Sequence, residues 1–140
     1  MPKKTIIGII QSKILNNYNS NLKAVIKNIK KAANRNAKII CLPELFLTNY
    51  FCQTENHSNF KFAEKIPGKT SKVFCDLSKE LNVVLMISMF EKKTRGFYHN
   101  TSIIINEKGK ILSKYRKMHI PDDPGYYEKF YFTPGDLGFK

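Results

Sequence analysis

Apolar residues change their spacing several times along the chain, and each change marks an element. Thr5 to Gln11 is an apolar, β-branched run of strand length and reads as a buried strand. The asparagine-rich stretch Ser12 to Asn19 reads as a loop. From there to about Asn36, Leu22, Val25, Ile26, Ile29, Ala32 and Ala33 recur every three or four positions, and Lys23, Lys27, Lys30 and Lys31 mostly fall opposite. That spacing predicts an amphipathic helix capped by Ser20 or Asn21. Ala37 to Leu42 is a second apolar run. Strand, helix and strand in succession predict a βαβ unit with a parallel pair.

Leu45 to Pro67 has no clean period but carries Phe46, Tyr50, Phe51, Phe60 and Phe62, so it reads as an aromatic loop with short helical pieces. Helical spacing returns from about Thr70 to Leu81, with Val73, Phe74, Leu77 and Leu81 facing inward. Val83 to Phe90, Phe97 to Ile105 and Lys110 to Tyr115 read as strands, separated by turns at Glu91–Gly96 and Asn106–Gly109. Short turns between consecutive strands predict an antiparallel meander. The whole is an α/β chain: a mixed sheet with helices on one face. Without repeats or linkers, its 140 residues read as one domain, 1–140.

After Tyr115 the packing pattern stops. Pro121, Pro124, Gly125, Pro134 and Gly135 punctuate the stretch to Asp136, and such a segment suits neither a helix nor a central strand. Yet it holds Tyr115, Tyr126, Tyr127, Phe130 and Tyr131 beside Lys117, His119, Asp122, Asp123 and Glu128. A long aromatic, charged loop is a candidate site wall; the alternative is an Ω-type loop packing its own rings. Pro43-Glu44-Leu45 follows the second strand and Lys117 the last. In open α/β sheets, chemistry collects at the carboxyl ends of strands. A carboxylate there can act as a base and a cation as an oxyanion partner. Taken alone, Glu44 is more often a solvated or helix-capping carboxylate and Lys117 more often a surface lysine. If both leave the sheet at one end, they must lie side by side.

Composition narrows the classes. Hydrophobic residues at 42% and charged residues at 25% are ordinary for a globular chain. The net charge of +13 raises nucleic-acid binding, but 21 of the 24 basic residues are lysines, spread from Lys3 to Lys140. Arginine is the preferred reader of phosphates and bases, so the lysines read as solvated faces and no nucleic-acid partner is expected. No apolar run reaches the roughly 18 residues of a membrane span. The amino-terminal apolar run is broken by Gly8 and lacks a small-residue cleavage site, so it reads as a strand and not as a signal peptide. Cys41, Cys52 and Cys75 are odd in number with no Cys-x-x-Cys spacing, which fits reduced thiols of a cytoplasmic protein. The histidines are scattered, so no metal is expected. Gly68-Lys69-Thr70 lacks the earlier glycine of a phosphate loop.

Pro43-Glu44-Leu45 after one strand and Tyr115-Arg116-Lys117-x-His119 after another resemble the nitrilase (carbon–nitrogen hydrolase) superfamily. The loop from His119 to Asp136 further resembles its N-carbamoylputrescine amidase branch, and the resemblance spans essentially the whole chain. It implies the first half of an αββα sandwich. It also implies a cysteine nucleophile, Glu44 as general base, Lys117 as oxyanion partner and Glu128 as the second glutamate that orients the lysine. Asp122 and Tyr126 become substrate contacts, a loop carboxylate pairing with a cationic amine tail. Asp123 stands where the family pattern tends to have glycine, so that turn departs from it. The implied substrate is a small amine-bearing carbamoyl compound, N-carbamoylputrescine, with no cofactor, in polyamine biosynthesis and as a homo-oligomer in the full-length form. The family's nucleophile follows the Pro-Gly-Asp turn at a point beyond Lys140. None of the three cysteines takes its place: Cys41 reads as a core thiol, Cys52 as an exposable loop thiol and Cys75 as helical. The expectation is therefore an amino-terminal portion that is inactive by itself, with an uncovered face that includes Ile103, Ile104 and Ile105 and favours self-association. Two alternatives stay open: another amide or ureido hydrolase, β-ureidopropionase-like, and a non-catalytic fragment or interaction module.

Overall fold

Alternation along the strands decides which face of the sheet is covered. In the computed structural model, which describes residues 4–139, β3 (Val84–Thr94) buries Leu85, Ile87 and Met89 and leaves Met86 exposed. On β4 (Phe97–Ile105), Ile103 and Ile105 are fully buried. These side chains meet Val25 and Ile29 of α1 (Tyr18–Ala33) and Phe74 and Leu77 of α2 (Lys69–Leu81) in one core. Both helices therefore cover the same face. Each fully buried apolar side chain contributes roughly 1.5–3 kcal/mol. Strands β1 (Ile7–Ile9), β2 (Ile39–Cys41) and β5 (Ile111–Arg116) complete a five-stranded sheet in the order β1-β2-β3-β4-β5. The first two pairings are parallel and the last two antiparallel. This is the expected mixed sheet with a βαβ start and a meander after it.

Local chemistry explains most boundaries. Asn17 caps α1 by accepting from the Ser20 amide, so the helix begins before the expected Ser20 or Asn21. Asn21 instead turns inward, where its side chain bonds the Leu15 backbone and the Leu47 carbonyl. Glu64 accepts from the Thr70 amide at the start of α2. Gly8 lets α1 approach β1: a Cβ there would sit 3.1 Å from that of Ala32.

Four expectations need correction. The run Thr5–Gln11 is not a buried strand, because Ile7 and Ile9 lie on the uncovered face and are exposed. Ile103 and Ile105 belong to the covered core and only Ile104 lies on the other face, since neighbours on a strand point oppositely. Glu91–Gly96 is not all turn: β3 runs through Thr94, and Glu91 is buried. The loop after Lys117 also holds regular structure, a hairpin of β6 (Asp122–Asp123) and β7 (Tyr126–Tyr127) followed by the single turn α3 (Glu128–Tyr131). Its prolines flank that turn and do not enter it. Of the proposed domain 1–140, residues 1–3 and 140 lie outside the described residues.

A second cluster, Leu45, Phe51, Cys52, Phe90, Tyr131 and Phe132, joins the two aromatic loops at one rim of the sheet. Phe51 stacks on Phe90 at 5.2 Å and meets Tyr131 edge-on at 4.9 Å. The Tyr131 hydroxyl accepts from the Asn56 amide at 2.9 Å and from the Asn59 side chain at 3.1 Å, and donates to the Thr54 carbonyl. Replacing Tyr131 by Phe should cost about 0.5–1.5 kcal/mol by removing these part-buried hydrogen bonds, whose remaining partners water can reach. Faster hydrogen exchange at the Asn56 amide, with the α1 amides unchanged, is the expected signature.

Candidate active site

Strand direction brings the candidate residues together. β5 runs antiparallel to β4, which runs antiparallel to β3, so β5 points the same way as β2 and β3. Glu44 and Lys117 therefore leave the sheet at one rim. The Lys117 Nζ lies 3.4 Å from Glu44 Oε1, across 73 positions of sequence. Glu128, the first residue of α3, completes the group, with its oxygens 2.8 and 3.0 Å from the same Nζ. Tyr50 donates to Glu128 Oε1 at 2.7 Å. Glu128 is buried, its side chain 3% exposed, whereas that of Glu44 is half exposed. Leu45 adopts a left-handed backbone (φ 47°), which turns the chain sharply after Glu44. A cavity of about 240 Å³ opens beside these groups, bounded by Glu44, Met86, Ser88, Asn100, Tyr115 and Lys117 among others.

Electrostatics keep the cation charged. Burial opposes the charge on Lys117, but the carboxylates of Glu128 and Glu44 outweigh it and raise its pKa above the ordinary lysine value. Burial also raises the Tyr50 phenol, and the neighbouring Glu128 raises it further, so Tyr50 stays a proton donor. The result is a fixed ammonium, one buried carboxylate that holds it and one accessible carboxylate. Such a group can move a proton at Glu44 and stabilise negative charge that grows beside Lys117.

Residues 6–140 match the family model described as carbon-nitrogen hydrolase. The chain belongs to the carbon–nitrogen hydrolase family. N-carbamoylputrescine amidase from Arabidopsis thaliana is 39% identical to it over 99% of this chain and 46% of that protein. Citrullinase from Francisella tularensis is 38% identical over 96% of this chain and 47% of its own length. The chain thus spans about half the length of the curated relatives it matches. Among solved structures, a carbon-nitrogen hydrolase from Helicobacter pylori superposes with a TM-score of 0.89 at 38% identity, over 96% of this chain and 46% of that one. An amidase from Nesterenkonia sp. shares the fold, with a TM-score of 0.74 at 17% identity over 95% of this chain and 49% of that one.

In this carbon–nitrogen hydrolase chain the two expected substrate contacts separate. Tyr126 is exposed, and its ring lies 6.0 Å from that of Tyr50, one side chain away from Glu128. Asp122 faces Lys129 at 3.8 Å, and among the described residues no hydrogen bond joins it to Glu44, Lys117 or Glu128. Cys52 is not an exposed loop thiol: the second aromatic cluster buries it completely. Burial, with Glu128 and Glu44 nearby, pushes its pKa up to about 12, so it stays a neutral thiol. Cys41 is half-buried on β2 and Cys75 half-buried on α2. Among the described residues no group of three or more His, Cys, Asp or Glu side chains converges to hold a metal, and no helix is long and apolar enough to cross a membrane.

The rim of this chain also rests on groups that sequence reasoning missed. The Arg116 guanidinium lies on the face opposite Lys117, donating to both oxygens of buried Glu91 at 2.8 Å and to Asp136 at 2.7 Å. Lys114 and Thr101 also bond Glu91. The turn at Pro134-Gly135 closes over this point, and the Gly135 amide donates to the Lys117 carbonyl at 2.8 Å. A Cβ at Gly135 would lie 2.0 Å from the Arg116 carbonyl oxygen, so only glycine fits there. A polar run inside an apolar strand (His99, Asn100, Thr101) was the available signal for part of this set.

Proposed function

We propose that this chain is the amino-terminal portion of an N-carbamoylputrescine amidase-like hydrolase, an enzyme that converts N-carbamoylputrescine and one water to putrescine, ammonia and carbon dioxide in polyamine synthesis. The observation that carries this reading is the Lys117 ammonium held between Glu128 and Glu44 at the carboxyl rim of the sheet. The 39% identity to N-carbamoylputrescine amidases supports the substrate. In this reading a cysteine thiolate attacks the carbamoyl carbon and Lys117 steadies the oxygen as it becomes negative. Glu44 takes the thiol proton and gives it to the nitrogen whose bond to the carbamoyl carbon breaks, while Glu128 holds the lysine in place. Water then cleaves the remaining thioester, restoring the thiol, and the carbamic acid released splits into carbon dioxide and the second amine. Cys41, Cys52 and Cys75 are unsuited as the nucleophile. Cys52 is sealed and protonated, and Cys75 lies on α2, away from the rim. Cys41 sits in β2, three positions before Glu44, as part of the sheet. The 140 residues by themselves therefore bind the substrate without turning it over.

Two measurements test this. N-carbamoylputrescine added to the 140-residue protein should shift the amide resonances of Lys117 and Tyr126, and Lys117→Met should abolish the shifts. Citrulline is the comparison ligand, given the 38% identical citrullinase. Binding of neither compound removes the substrate reading. Ammonia release should stay at background; release that disappears in Cys52→Ser or Glu44→Gln would place the nucleophile within these residues.

A further inference from the structure

Asn100 sits behind the rim, 5% exposed in the interior of β4, and is bonded on three sides. Its carbonyl oxygen accepts from the Lys117 amide at 2.9 Å. Its side-chain Oδ1 accepts from the Ser88 hydroxyl at 3.2 Å, and its Nδ2 donates to Glu44 Oε1. The Ser88 hydroxyl in turn accepts from the Leu45 amide at 3.3 Å, so its own proton is directed at Asn100. That fixes the orientation of the amide: Oδ1 faces Ser88, and Nδ2 has to face the carboxylate. One side chain thus grips Glu44, and one backbone group of the same residue holds Lys117.

The two carboxylates differ in what remains free. Both oxygens of Glu128 carry donors. Glu44 Oε1 carries Asn100 and Lys117, while no described residue donates to Oε2. We propose that Asn100 is the positioning residue of the site: it ties down Oε1 of Glu44 and so presents Oε2 as the proton acceptor. The proposal rests on the reading of Glu44 as a base. An accessible carboxylate without this tether rotates among several staggered side-chain conformers, and a base must lie within hydrogen-bond reach of the proton it takes.

Lys117 reports on the tether without any turnover. Its amine acylation profile against pH, followed by peptide mass spectrometry on the folded 140-residue protein, reflects how strongly the carboxylates hold the ammonium. Asn100→Ala releases Glu44 from Lys117, and acylation at a fixed pH should rise about threefold, the scale of losing one partly exposed ion pair. Glu44→Gln should give the same rise, and the double variant no more than either alone, because Asn100 acts through Glu44. Ser88→Ala, which leaves the Asn100 side chain in place, should give a smaller rise in the same direction. A purely structural role would lower the melting temperature and leave the Lys117 profile of the folded protein unchanged. An unchanged profile in Asn100→Ala, or effects of Asn100→Ala and Glu44→Gln that add, overturns the proposal. If the coupling is found and the substrate fails to bind, the hold of Asn100 on Glu44 stands and the hydrolase reading falls.

Discussion

Replacing Arg116 by Met should destabilise the protein by about 3–5 kcal/mol, because it leaves Glu91 charged, buried and short of its main partner. The Glu91 side chain is 3% exposed and that of Arg116 7%, so water cannot replace the lost contact. Lys114, 2.8 Å from Glu91, remains and keeps the loss from being larger. Burial raises the Glu91 pKa, but hydrogen bonds from Arg116, Lys114 and Thr101 outweigh it and hold the folded value at about 2, against an ordinary 4.5. A depressed folded pKa contributes stability that is complete above 4.5 and is lost as pH falls through about 2. Denaturant melts of the parent and the variant should therefore differ most near neutrality and converge across that acid window. The double variant Arg116→Met with Glu91→Gln should recover part of the loss, since it removes the unpaired charge. A gap that stays constant from neutral pH to pH about 2 would show that packing, and not the ion pair, carries the effect.

His99 adds a second acid dependence nearby. It is 1% exposed; its Nδ1 bonds the Thr133 carbonyl at 2.9 Å and its Nε2 has no partner among the described residues. Burial lowers its pKa, and Arg116 lowers it further, while the Thr133 bond opposes both. The neutral ring is the folded form, so stability falls as pH drops below the ordinary 6.5 toward the lower folded value. His99→Gln should remove the acid slope between these values while keeping a side-chain group for Thr133.

What could be read in advance follows how far apart in sequence the determining groups lie. The strand–helix–strand start, α2 and the meander rest on periodicity within single segments, and they occur in the expected order, although α1 starts earlier, β1 is shorter and β3 runs on to Thr94 instead of Phe90. The adjacency of Glu44 and Lys117 follows from strand direction alone, which is why two residues 73 positions apart could be paired from sequence. Glu91 is the counter-example. In isolation, Glu91-Lys92-Lys93-Thr94 is a solvated turn, and only Arg116 and Lys114 on another strand make the carboxylate buryable. The burial of Cys52 likewise depends on Phe90, Tyr131 and Phe132, none of them local. The face of each isoleucine on β4 was decidable by parity, yet a run of three reads as uniformly apolar until the pairing Ile104↔Met86 fixes the register.

Replacing Lys117 by Met should cost about 3 kcal/mol, a large effect for a side chain that is 30% exposed. The reason lies in Glu128, whose carboxylate is almost fully buried and takes two of its three hydrogen bonds from Lys117 Nζ. Met matches the stem of Lys and supplies no charge, so Glu128 would keep only the Tyr50 hydroxyl. Glu128→Gln alone should be milder, because a neutral amide can still accept from Tyr50. The double variant Lys117→Met with Glu128→Gln should be more stable than Lys117→Met by itself, as expected when both members of a buried pair are removed. pH separates this from lost packing. The raised folded pKa of Lys117 contributes stability that is complete below the ordinary 10.5 and is lost as pH climbs through the higher folded value. The parent and Lys117→Met should therefore converge as the solution becomes strongly alkaline. A double variant no more stable than Lys117→Met would mean that Glu128 does not depend on the lysine, and the shared anchoring of ammonium and carboxylate would have to be abandoned.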